Sequence, residues 1–220
     1  IQEEVDVPLS FDFPSLEVQE ICLNSYNEEK AKGAKPIINS IAESRWGMAE
    51  ALKIRPCRVI LMASERLEDG KAAANKEPRQ ILEVSKRMSG RMAEEFGLTV
   101  DDIILDVSIT TLATDREGLI KMALEGIKLI DQDSDLHGIH MMGGISNIGM
   151  MLPPRAKDGQ PLKTRIERAF LTLARPHGFD TILATPWHCY DDLPEDDFVF
   201  STFKEIIEMT GMDALRQTRK

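Results

Sequence analysis

Cysteine is scarce in this chain, and the three present (Cys22, Cys57 and Cys189) lie far apart with no CxxC pair or metal-finger spacing. An odd, sparse set excludes a disulfide framework and leads us to expect reduced thiols and a cytoplasmic setting. Long apolar runs are missing too: no segment is long enough to span a bilayer, and no signal peptide is visible, so a membrane role is not expected. There is no excess of positive charge. The formal net charge is −10, spread through the chain, which excludes nucleic acid as a partner because its phosphates require a basic surface. Nor does a glycine-rich phosphate loop follow any strand, which weighs against a doubly wound nucleotide-binding sheet. No repeat, low-complexity tract or Pro/Gly/Ser-rich linker divides the 220 residues, so a single domain over residues 1–220 is expected.

What is present alternates in a regular way. Six short apolar runs read as strands: Val7–Phe13, Lys35–Ile41, Cys57–Ala63, Asp102–Ile109, Gly138–Gly144 and Asp180–Pro186. They are nearly continuous in apolar content, as strands covered on both faces should be. Between them lie helical segments: one from Pro14 to about Lys30 with Gly33 as its stop, and an amphipathic one ending at Gly97. Another is capped by the box Thr114-Asp-Arg-Glu117, a fourth ends at Pro176, and a last single helix fills 196–217. The pattern predicts an α/β fold with a parallel sheet, a TIM (β/α)8 barrel of which six strands are visible. The chain opens IQEEVDVPLSFDF with no initiator Met, so we expect a segment of a longer protein that lacks the first two barrel strands.

In parallel α/β folds the functional groups gather at the C-terminal ends of strands. Reading those ends gives Asp12, Asn39, Asp106 and Asn147, one carboxylate or carboxamide each. Asn39 and Asp106 stand inside otherwise apolar strands, where a polar group is costly without a partner. The set offers few donors to a phosphate and contains no His for a metal. It suits a neutral, planar heterocycle: a carboxylate accepts from an amino group and an adjacent ring N–H, and a carboxamide both donates and accepts. The stretch GGISNIGMMLPP, residues 143–154, sharpens this, because Gly143 and Gly144 would let the backbone lie close under a flat ring.

The ordered set SFDF, KPIINSIAES, DDIILDVSI, GGISNIGMMLPPR and RIERAFLTLARPHGFDTILATP resembles the pterin-binding family of methyltetrahydrofolate methyltransferases, over nearly the whole chain. These include the folate domain of cobalamin-dependent methionine synthase. The resemblance implies a barrel holding the pterin ring of (methyl)tetrahydrofolate at its mouth, with Asp12, Asn39, Asp106 and Asn147 as pterin-contacting residues. Asp106 would take the 2-amino and N3–H edge with Asn39 beside it. Asn147 would sit near N5 as the catalytic residue. Arg155 would meet the folate tail or the partner. It further implies a separate corrinoid (cobalamin) protein as methyl partner, with the Met-Pro tail after Asn147 as its rim, and a homodimer as relatives often form. Where many members have Pro after the carboxylate, Val107 stands here, which affects loop shape rather than the carboxylate.

Three rivals need weighing. Dihydropteroate synthase shares the fold and pocket, but would carry Ser-Arg-Lys where GISNIG stands and Arg-x-His where the last strand ends ATPWHC. A corrinoid-binding module would need Asp-x-His-x-x-Gly; DLHGIH, residues 135–140, has His140 where Gly is required, so His137 reads as a surface histidine. A non-catalytic pterin-binding barrel is the third. Trp46 and Trp187 read as packing or ligand caps, and His188 with Cys189 is a metal pair without a second pair.

Overall fold

The computed structural model describes residues 1–218. The six expected strands form, each shorter than expected, and the last begins one residue early, at Phe179. The chain divides into two compact units, one of residues 1–75, 80–106 and 134–140, the other of 76–79, 107–133 and 141–220.

In the first unit, β1 (Ser10–Asp12) is followed by α1 (Leu16–Ser25), whose Ser15 cap accepts the Val18 N–H. The helix ends early, at Ser25, and Gly33 adopts the left-handed conformation eight residues later. Next come β2 (Ile37–Ile41), a kinked 3-10 segment at Glu43–Lys53 and β3 (Arg58–Met62). The chain after β3 forms a hairpin, β4 (Glu65–Glu68) with β5 (Lys71–Ala74). Its two-residue turn, Asp69-Gly70, has positive φ at both positions, the geometry that Asp-Gly favours and that matches strand twist. The long helix α2 (Pro78–Phe96) begins on a proline and buries Ile81, Val84, Met88 and Met92, one stripe at helical spacing. Then β6 (Ile103–Asp106) pairs with β3, so that β1, β2, β3 and β6 lie side by side in parallel.

Register separates the two faces of these strands. Ile38, Val59, Leu61, Ile103 and Leu105 share one face and are sealed from water. Asp12, Asn39, Ile60, Met62, Ile104 and Asp106 share the other, because parallel Cα partners point the same way and side chains alternate along each strand.

The second unit begins with a correction. No capping box forms at Thr114; α3 (Leu119–Gln132) starts after Gly118, and Asp115 does the capping. Its two carboxylate oxygens accept the N–H groups of Gly118, Leu119 and Ile120 at 2.9 Å each. A carboxylate one residue on outcompetes the Thr hydroxyl because it can take three orphan donors at once. Thr114 instead donates to the Thr111 carbonyl.

After α3 come β7 (His140–Gly144), α4 (Leu162–Ala174) and β8 (Phe179–Leu183), with β7 and β8 paired in parallel. Phe170 of α4 meets Phe179 of β8 edge to face at 5.6 Å. The single C-terminal helix expected over 196–217 is two, α5 (Phe198–Ile207) and α6 (Gly211–Gln217). Gly211 takes positive φ and donates its N–H to the Arg116 carbonyl, which ends the first helix and restarts the chain. Asp197 caps α5, accepting from Val199 and Phe200, and also pairs with Arg165 at 2.6 Å. The architecture is therefore α/β with six parallel strands among the described residues, four in the first unit and two in the second, rather than eight. No described helix is long and apolar enough to cross a membrane.

Candidate functional site

Asp12 and Asn39 are direct register partners at the ends of β1 and β2. Asp106 follows on the same face at the end of β6, one pleat repeat beyond the row that runs through Ile60 and Ile104. That offset is roughly 6.6 Å along the strand direction. Three polar side chains expected at strand ends thus lie on one face of one sheet. They differ in exposure: Asp12 is open to solvent, while Asn39 and Asp106 are half-buried. The register slips just past Asn39, where the Asn39–Ser40 peptide is cis.

Asn147 belongs to the second unit. It ends a 3-10 turn, Ile145–Asn147, that leaves β7 directly, and it is exposed while Ile145 and Ile148 on either side of the turn are buried. Two apolar anchors flanking one exposed carboxamide fix where that carboxamide points. Its amide rests 3.0 Å from where a Cβ on Gly144 would sit.

Here the glycine reading needs revision. The free side of Gly143 does not face open space: an added Cβ would lie 2.6 Å from Ile109 Cδ1 and 2.7 Å from its Cγ1. The glycine pair is there for packing, with Gly143 admitting Ile109 and Gly144 admitting the Asn147 carboxamide. Gly149 does the same for Lys163, whose Cγ lies 2.7 Å from its would-be Cβ. Sequence reading missed Ile109 as the cause, because the contact joins residues far apart along the chain.

Arg155 is exposed and bends back on its own loop, donating from Nη1 to the Gly159 carbonyl at 2.6 Å, while its backbone bridges to Pro161. It also lines a cavity of about 460 Å3 with Leu112, Leu152, Ile166, Phe203 and Ile206, none of them polar strand-end residues. The Met pairs divide by position. Met141 and Met142 are buried in β7, whereas Met150 and Met151 are 50% and 78% exposed on the loop beyond Asn147.

The remaining sequence candidates fall into place simply. Trp46 is a packing residue, its Nε1 donating to Glu95 and its ring covered by Arg91. Trp187, just past β8, is 82% exposed. His137 is on the surface. All three cysteines are free thiols, and burial pushes Cys57 up to about 11 against the opposing pull of Arg55 and Lys35, so it stays protonated and inert. Glu167, on the apolar stripe of α4 with Leu171 and Ala174, is 1% exposed and escaped sequence analysis. Burial raises its carboxyl above the ordinary carboxylate range, opposed by Lys163 and His188.

Residues 1–183 match the family described as pterin binding enzyme, a match that ends on the last residue of β8 and includes all four polar strand-end positions. It spans well over half of the chain, from β1 through β8, and the α/β alternation and parallel pairing agree with it. The chain belongs to the pterin-binding enzyme family.

Proposed function

We propose that the protein is a methyltransferase that moves a methyl group between N5 of (methyl)tetrahydrofolate and the cobalt of a separate corrinoid protein. The observation that carries this reading is the shared sheet face of Asp12, Asn39 and Asp106, with Asn147 on the turn after β7. Two carboxylates and two carboxamides supply acceptors and donors that suit a neutral pterin, and the set contains no cationic side chain to meet a leaving pyrophosphate.

In this reading Asp106 accepts from the 2-amino group and N3–H of the pterin, and Asn39 satisfies the neighbouring edge. The methyl group on N5 is a poor one to displace until N5 becomes cationic. Asn147 stabilises that protonated nitrogen through its carboxamide oxygen, an interaction stronger in the transition state than in the ground state. The corrinoid, carried by its own protein, supplies the cobalt that gives or takes the methyl group. The exposed Met150, Met151 and Trp187 offer that partner an adaptable apolar rim.

Two points of the sequence favour this reading over dihydropteroate synthesis. The β7 turn carries Ile145-Ser-Asn147 rather than a basic stretch, and β8 is followed by Pro186-Trp-His-Cys189 rather than by Arg-x-His. The test is direct: the purified protein is mixed with methylcobalamin and tetrahydrofolate, and loss of the methylcobalamin spectrum is followed. Methyl transfer supports the proposal. Condensation of p-aminobenzoate with dihydropterin pyrophosphate, without methyl transfer, overturns it.

A further inference from the structure

Two ionisable side chains of the second unit stand close together, each with one polar atom sealed from water. Glu167 Oε2 on α4 and His188 Nδ1 beyond β8 each expose almost no surface, and neither has a hydrogen-bond partner. They stand 3.9 Å apart, close enough to pair as charges and too far for a hydrogen bond. Leaving a carboxylate buried on a helix without a partner is costly, and a purely structural position would be filled by an apolar residue. The cost marks the pair as built for something other than packing.

Its position says what. The Asn147 turn packs against both α4, which carries Glu167, and β8, which leads to His188. His188 is held to the strand end by its own N–H, which donates to the Thr185 carbonyl at 3.1 Å. Nδ1 is sealed, yet 30% of the side chain is open, so the ring reaches solvent by a part other than Nδ1. The other charged or titratable neighbours are Lys163, one turn before Glu167 on α4, and Tyr190, whose ring centre lies 6.2 Å from that of His188. His188 also lies past residue 183, where the family match ends.

From this geometry we infer that Glu167 and His188 form an acid–base dyad for the Asn147 turn: Glu167 fixes the proton of the imidazole on Nδ1, and His188 Nε2 exchanges the N5 proton of the folate. The inference rests on the proposed methyl transfer. When tetrahydrofolate is methylated, N5 forms its bond to the methyl carbon with its lone pair while the carbon's bond to the corrinoid partner breaks and leaves its pair there, and N5 becomes an ammonium that still carries hydrogen. The lone pair of His188 Nε2 takes that proton, and the N–H electron pair returns to N5. The imidazolium charge is balanced by the Glu167 carboxylate. In the opposite direction the imidazolium delivers the same proton to N5 before the N5–methyl bond breaks toward the corrinoid partner. A neutral imidazole oriented by a buried carboxylate is an arrangement suited to this work.

The experiment has two arms on the full chain. In the first, 15N–1H spectra report which ring nitrogen of His188 is protonated. Wild type should show the Nδ1–H form, Glu167→Leu should revert to the Nε2–H form, and Glu167→Gln, which keeps an acceptor, should retain Nδ1–H. An Nε2–H form in wild type overturns the dyad, whatever the activity. In the second, His188→Ala should lower methyl transfer about 100-fold with the folate KM unchanged, and added imidazole should restore at least a tenth of the rate. A His188→Ala protein with wild-type turnover, or one whose loss imidazole does not rescue, overturns the proton-exchange role. A wild-type protein that transfers no methyl group overturns the proposed function and that role, while the tautomer still decides whether the dyad exists.

Discussion

The first unit holds its polar residues on hydrogen-bonded strands, and the second holds Asn147 on a single 3-10 turn. On β1, β2 and β6 the position of each side chain is set by ladder register, and a slip of one residue would send Asp12, Asn39 and Asp106 to the sealed face. Asn147 has no ladder to hold it. Its place depends on Ile145 and Ile148 anchoring the turn and on Gly144 leaving room for the carboxamide. Recognition of a flat substrate tolerates no drift, so strands suit it. A group that must follow a nitrogen from neutral to cationic benefits from a shorter, side-chain-anchored support.

That contrast can be broken most sharply with one substitution in each unit. Asn147→Ala should lower methyl transfer by about 100- to 1,000-fold, the usual loss when one transition-state hydrogen bond is removed. Folate affinity by calorimetry should change little. Asp106→Ala should do the reverse, weakening binding by about 10- to 100-fold, as expected for hydrogen bonds to a charged group. If the two variants exchange phenotypes, the division between binding strands and reactive turn is wrong.

Gly143→Ala comes next in size. Its Cβ would overlap Ile109, and overpacking of this kind costs about 1–3 kcal/mol in urea denaturation. Combining it with Ile109→Val, which removes the Cδ1 atom, should recover part of that loss. An unchanged midpoint for Gly143→Ala would return the glycine pair to the role of ligand platform.

Glu167→Leu should move stability the other way, raising it by about 1–3 kcal/mol because a buried carboxyl that stands 3.9 Å from His188 disappears. The gain should depend on pH with a definite sign. Since burial raises the folded-state pKa of Glu167, the folded protein binds this proton more tightly than the unfolded chain does. Its contribution is fully present below the unfolded carboxylate value, about 4.3, and is lost as pH rises through the folded value. The advantage of Glu167→Leu over wild type should therefore widen as pH rises across that window. A gap that narrows would show that the pull of Lys163 and His188, rather than burial, governs the Glu167 carboxyl.

The smallest effect concerns the start of α3. Asp115→Ala should cost about 1–2 kcal/mol, the loss of an N-terminal cap. Thr114→Ala should stay within about 0.5 kcal/mol. Equal losses would reinstate the Thr114 capping box.

Most of the architecture could be read from apolar patterning. All six parallel strands were legible because each is a short apolar run bounded by turn or helix signals, and covered strands have no other pattern. The β4–β5 hairpin was passed over although its Asp69-Gly70 turn was in plain sight, because its strands are charged or alanine-rich and carry no apolar alternation. The split between α5 and α6 depends on the Gly211 N–H finding the distant Arg116 carbonyl, a tertiary contact that no local pattern encodes. At the site, Asp12 was visible as a polar strand end and Asn39 and Asp106 as polar interruptions in apolar strands, and their common face follows from register. The Gly143–Ile109 contact was not visible, since it joins residues 34 positions apart along the chain (143 − 109 = 34). Glu167 could have been found: a carboxylate on the apolar stripe of an amphipathic helix is an anomaly in sequence as well as in structure.

The central claim is that this member of the pterin-binding family transfers a methyl group through Asn147. Single-turnover transfer from methylcobalamin to tetrahydrofolate, followed by the cobalamin spectrum for wild type and for Asn147→Ala at equal folate saturation, tests it most directly. The account predicts transfer by wild type and a loss of at least 100-fold in the variant, in line with removal of one preorganised hydrogen bond. Equal rates for the two proteins, or no transfer by wild type under saturation, would contradict it.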